Sequence, residues 1–107
     1  MTIYYQAGKT NVMMHLKPTD RWYMIADQDT RGRAHLFLNV NGIEAPLLSS
    51  PDFRRTHTQA SQGAVLELYN AMVYEVYKKL RNGEEHLDLA EIEEELLPQF
   101  MEKWSIK

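Results

Sequence analysis

The stretch "AHLFLNVNGIEAPLL", from Ala34 to Leu48, decides how the chain is read. Asn41-Gly42 sits between two apolar runs. A type I′ turn asks both central residues for a positive φ, which asparagine and glycine tolerate best. The two runs therefore pair as an antiparallel hairpin. Within "AHLFLNV", alternation sends Ala34, Leu36, Leu38 and Val40 to one side and His35, Phe37 and Asn39 to the other. Pro46 has no N–H for a ladder, so the second run belongs at a sheet edge.

Upstream, "RWYMIA" reads as a strand entered through "KPTD", whose Pro18 and Asp20 suit a turn. Before it, "TIYYQ" and "VMMHL" are separated by "AGKTN", a polar link containing Gly8, and read as another hairpin. Downstream, "SSPDFRRTHTQAS" reads as a polar connection holding the adjacent arginines Arg54 and Arg55.

Helical periodicity then takes over. Val65, Leu68, Tyr69, Met72, Val76 and Leu80 recur at helical spacing and predict a helix from roughly Gln62 to Asn82. Leu66, Val73 and Tyr77 widen its apolar stripe, which implies two covering neighbours, and Asn82-Gly83 is a good stop. A second helix begins near Asp88, where Asp88 and Glu91 resemble a capping box. Ile92, Leu96, Leu97, Phe100, Met101 and Trp104 form its apolar side, and Pro98 predicts a kink or break. The expected architecture is α+β and a single domain over 1–107. An antiparallel β-meander of four or five strands (1–48) is followed by two C-terminal helices (61–104) packed on one sheet face.

With 107 residues, 44% hydrophobic and 25% charged, the chain suits one globular core and does not suit disorder. Cysteine is absent, which removes disulfides and thiolate metal sites and fits a reducing compartment. "MTIYYQAGKT" has no basic segment followed by an apolar run, and the longest apolar stretch is broken by Glu67, Asn70 and Glu75. A cytoplasmic protein that does not engage membranes is the expectation.

Chemical motifs are weak. "AGKT" echoes the end of a phosphate-binding loop, but Ile3 stands where that loop needs glycine, and a strand follows. Asp27 and Asp29 have strand spacing that suits a hard cation, though a turn held by Asx-type hydrogen bonds explains them better. His15, His35, His57 and His86 form no two-histidine ligand pattern. These readings favour a non-enzymatic protein with no cofactor and no metal.

Two binding readings remain. Residues 1–60 hold seven Lys/Arg against five Asp/Glu (+2), and residues 61–107 hold five against ten (−5), which together give the net −3. Seven carboxylates fall between Glu84 and Glu95. The helix dipole accounts for Asp88 and Glu91 but less well for Glu93, Glu94 and Glu95. The leading reading is a small regulator or inhibitor that occupies a larger protein, such as a basic nucleic-acid-handling enzyme. It would use Glu93, Glu94 and Glu95 with Phe100, Met101 and Trp104, and Trp104 is the expected anchor for a partner or a twin subunit in a homodimer. Small immunity proteins and phage-encoded inhibitors share this size and charge. The alternative is single-stranded nucleic-acid binding by Arg21, Tyr23, Arg31, Arg33, Arg54 and Arg55, with rings stacking on bases and arginines neutralising phosphates. Trp22 and Phe37 fit that surface or the sheet core equally well. A structural subunit of an assembly is the third reading.

Overall fold

The computed structural model describes residues 1–7, 9–58 and 60–103, and the backbone alone for 54–56. The chain is α+β. Strands β1 (Thr2–Ala7) and β2 (Thr10–His15) form the expected N-terminal hairpin. Strands β3 (Trp22–Gln28), β4 (Ala34–Val40) and β5 (Ile43–Ser49) form an antiparallel meander with β5 at its edge, where Pro46 is tolerated.

These five strands do not make one sheet. A sixth strand, β6 (His86–Asp88), pairs parallel with β1, so one sheet runs β2-β1-β6 and the other β3-β4-β5. The single meander is corrected to two three-stranded sheets that meet where β1 runs close to β5. In β6 only Leu87 is buried, with His86 exposed and Asp88 half-exposed. Three residues in an acidic stretch are too short for alternation to announce a strand.

The β4–β5 turn has the expected geometry. Asn41 and Gly42 both have positive φ, 52° and 89°, and the Gly42 N–H donates to the Asn39 side chain at 2.9 Å. A Cβ on Gly42 would meet nothing within 4 Å, so the backbone conformation is the obstacle there. Gly42→Val is expected to cost more than about 1 kcal/mol, because a β-branched residue resists this region. A variant with an unchanged melting temperature would contradict the turn.

A bulge between Leu36 and Phe37 of the β4–β5 ladder inserts an extra residue on β5. Leu47 and Leu48 can then both pack on the core. The core joins both sheets to the helices through Ile3, Leu36, Leu38, Met72, Val76 and Leu87.

The described residues form three helices, one more than expected. The polar connection contains α1 (Ser50–Thr56), which starts with Pro51 at its first turn and Asp52 beside it, both suited to a helix N-terminus. Helix α2 (Gln62–Asn82) has the expected bounds. Ser61 caps it by accepting the Ala64 N–H, and Gly83 ends it at φ 65°. Tyr77 is 42% exposed and does not belong to the buried stripe. Helix α3 (Leu89–Lys103) begins where expected, with Asp88 accepting the N–H groups of Ala90 and Glu91. Of the kink or break expected at Pro98, the break does not occur, and the helix runs on through it. Leu96, Leu97 and Phe100 pack on the core around that position, which offsets the lost backbone bond.

Tyr69 is buried in α2, and its hydroxyl has no hydrogen-bond partner among the described residues. Burial pushes its pKa up to about 12 from 10.0. The unfolded chain therefore loses this proton first, and stability falls as pH rises from 10.0 towards about 12. Tyr69→Phe is expected to raise stability by roughly 1 kcal/mol and remove that decline. A lower melting temperature for the variant would overturn this expectation.

Candidate functional site

Two depressions adjoin at the junction of β6 and α3. The first is an acidic groove of about 340 Å³. Helical spacing places Glu91 and Glu95 one turn apart on α3, and Glu84, Glu85 and Asp88 line the same groove. Among the described residues Lys79 is its one lysine, and its Nζ lies 3.2 Å from Glu84 Oε2. Five carboxylates against one ammonium leave a formal charge of −4 in the lining. Among the described residues, no three His, Asp or Glu side chains converge as a metal site.

The second depression is a cleft of about 890 Å³ along the seam between the sheets. Leu47, Leu48, Phe53, Met72 and Leu89 give it an apolar lining, while Lys9, Asp52, Asp88 and Glu93 are its charged groups among the described residues. Tyr4 and Met13, partners across the β1–β2 ladder, stand at it with Met13 55% exposed. Asp88 lines both depressions, so groove and cleft adjoin at that residue. At the α3 side, His57 Nε2 lies 3.1 Å from Glu93 Oε1, where the ring nitrogen donates to the carboxylate. This contact ties the end of α1 to α3.

The structure separates the residues expected to act together at the C-terminus. Successive residues of a helix point about 100° apart, and so Glu93 faces the cleft, Glu94 is exposed and Glu95 lines the groove. Phe100 packs against the core, while Met101 is exposed. Trp104 lies outside the described residues. Sequence reading missed Tyr4 and Met13, although the pairing of Ile3 inward with Met14 implies that both neighbours point outward.

The alternative set is also dispersed. Tyr23 is 56% exposed on the outer face of the β3-β4-β5 sheet, where Ile25 pairs with Phe37. The ring of His35 stacks on Phe37 with centroids 6.4 Å apart. Phe37 therefore belongs to the outer face, whereas Trp22 packs against the core. Asp27 and Glu44 share that outer face. Arg31 and Arg33 are at the far end of β3 from Tyr23, about 17 Å along the strand. Arg33 is clasped by Asp29, with Nε 2.7 Å from Oδ2. Arg21 is exposed before β3, and the side chains of Arg54 and Arg55 lie outside the described residues.

Asp29 organises that turn. Its carboxylate accepts the N–H groups of Arg31 and Arg33 as well as the contacts from Arg33 and His35. Desolvation works to raise its pKa, but the Arg33 N–H, the His35 ring, the Arg31 N–H and the Arg33 side chain outweigh it and hold it well below the usual carboxylate range. The clasp therefore stays ionised at neutral pH and opens only in strong acid.

No helix among the described residues is long and apolar enough to cross a membrane. Compared with protein-family models, with curated proteins and with solved structures, the chain matches none of them.

Proposed function

We propose that this is a small non-enzymatic binding protein that regulates or inhibits a larger, basic protein by occupying it. The observation that carries this reading is that a strongly acidic groove and an apolar-lined cleft lie side by side, with Asp88 lining both. An acidic surface speeds encounter with a cationic partner and orients it, and an adjoining apolar recess holds an anchor once water is excluded. A nucleic-acid-handling enzyme is a partner of suitable charge. Nucleic acid itself has less support as the ligand. Asp27 and Glu44 share the face of Tyr23, and Asp29 already holds Arg33.

The test is affinity capture from the native host, followed by reconstitution with the purified partner. Wild type should hold a basic protein and lower its activity. A variant with Glu84, Glu85, Glu91 and Glu95 changed to glutamine should associate more slowly and with a flatter salt dependence. Undiminished capture and inhibition by that variant would sink the proposal.

A further inference from the structure

The exposed strand edges differ in how they are protected. β5 carries Pro46 and a bulge, β6 has three residues, and β3 carries Asp27. β2 has none of these features. It contains no proline and no Asp, Glu, Lys or Arg, and it keeps an unbroken register with β1. Among the described residues, its backbone bonds to β1 alone. Such an edge is a template for another strand.

The hydrogen bonds at the end of the hairpin fix which groups of β2 are free. Met1 N donates to the Leu16 carbonyl at 2.9 Å, and the Leu16 N–H donates to the Met1 carbonyl at 2.8 Å. In an antiparallel ladder, pairs that exchange both bonds alternate with pairs that share none. The register therefore bonds Ile3 to Met14 and Tyr5 to Val12, and leaves Thr2–His15, Tyr4–Met13 and Gln6–Asn11 unbonded. The Thr2 N–H accordingly donates the other way, to the Glu85 carbonyl at 2.9 Å. The N–H and C=O groups of Asn11, Met13 and His15 thus point away from β1.

These free groups are spaced evenly about Met13. A second β2, turned by a two-fold axis at Met13, presents the same groups in reverse order. Asn11 then meets His15 of the second copy, Met13 meets Met13, and every free group of the edge gains a partner. An edge bearing charge would set like charges against each other in such a pair, and this one has none to set. On the outer face, Met13 is 55% exposed and its ladder partner Tyr4 is 41% exposed. Pairing lays Met13 against Met13 and carries this apolar row across the axis. Lys9 and Lys17 lie beyond the two ends and approach each other there, a repulsion that salt screens.

We propose that two copies of this chain pair antiparallel through β2, centred on Met13, and so join their β2-β1-β6 sheets into one. The pairing consumes the edge, so it closes at a dimer. The ladder is short, so monomer and dimer exchange with concentration. The interface lies across the sheet from the acidic groove, which adjoins β6, and it does not rest on the basic-partner reading.

The chain has no cysteine, so single-cysteine variants report the register directly. In this ladder the two copies of residue 13 sit about 5.5 Å apart at Cα, within disulfide reach, and the two copies of residue 11 sit roughly 15 Å apart, beyond it. Met13→Cys should form a covalent dimer under mild oxidation, and Asn11→Cys should not. As the wild type is concentrated, its solution mass should double and rise no further. The amides of Asn11, Met13 and His15 should then gain protection from exchange. Met13→Pro removes an outward N–H and none that bonds to β1, so the fold should hold while dimerisation weakens about tenfold or more. Met13→Lys, which leaves the backbone unaltered, should weaken it as well.

A wild type that stays monomeric when concentrated, with those three amides unprotected, would overturn the proposal. Equal cross-linking of Met13→Cys and Asn11→Cys would overturn the register and the two-fold pairing with it. A doubled mass that survives both Met13 substitutions and falls with added salt would place the interface elsewhere and overturn the proposal too.

Discussion

Replacing Phe53 with alanine will lower stability by about 3–5 kcal/mol, the range for a phenylalanine removed from a packed core. Phe53 is 4% exposed, yet it lies in a segment whose neighbours are polar or charged. If that segment were a solvated loop, the same change would cost within about 0.5 kcal/mol, as surface substitutions do. Urea unfolding of the two proteins separates these outcomes. The variant should also widen the seam cleft, because Phe53 forms part of its apolar lining.

The second large effect belongs to Leu87. It is 1% exposed and stands opposite Ile3, itself fully buried, across the parallel β1–β6 pair. Leu87→Ala should cost about 2–5 kcal/mol, and collapse around the gap would place it at the lower end. His86→Ala, one residue away and exposed, should stay within about 0.5 kcal/mol. Similar losses for both variants would contradict the burial pattern that makes β6 a strand.

The parts of the fold legible in the sequence were those held by local chemistry. Asn41-Gly42 fixed a turn because its two residues accept positive φ at low cost. Helix α2 was readable at both ends because its stripe is long and its cap and stop are local. The missed elements depend on distant contacts. β6 exists because β1 is there to pair with it, and three residues carry no period of their own. Helix α1 holds one buried ring, so polar neighbours dominate its appearance, although Pro51 and Asp52 did mark a helix start. Pro98 was read by its local cost, while packing of the residues around it keeps the helix intact.

The candidate site was less legible than the fold. Acidity near the C-terminus was plain, but three consecutive glutamates on a helix cannot share one face. The groove instead gathers Glu91 and Glu95 with residues from the preceding link, an arrangement that only the β6–α3 junction creates. The seam cleft draws on both sheets and all three helices, so no local segment announces it.

The parallel pairing of β1 with β6 also bears on the order of folding. Thr2 and His86 are partners although 84 positions separate them (86 minus 2). Closing a loop of that length costs chain entropy before any contact repays it, which slows folding relative to hairpins of neighbouring strands. The β1–β2 hairpin and the β3–β5 meander can form as soon as they emerge during synthesis. The inner strand β1 must then wait, with one side bare, until most of the chain has followed. A nascent chain stopped before residue 86 would still lack the strand that completes its first sheet.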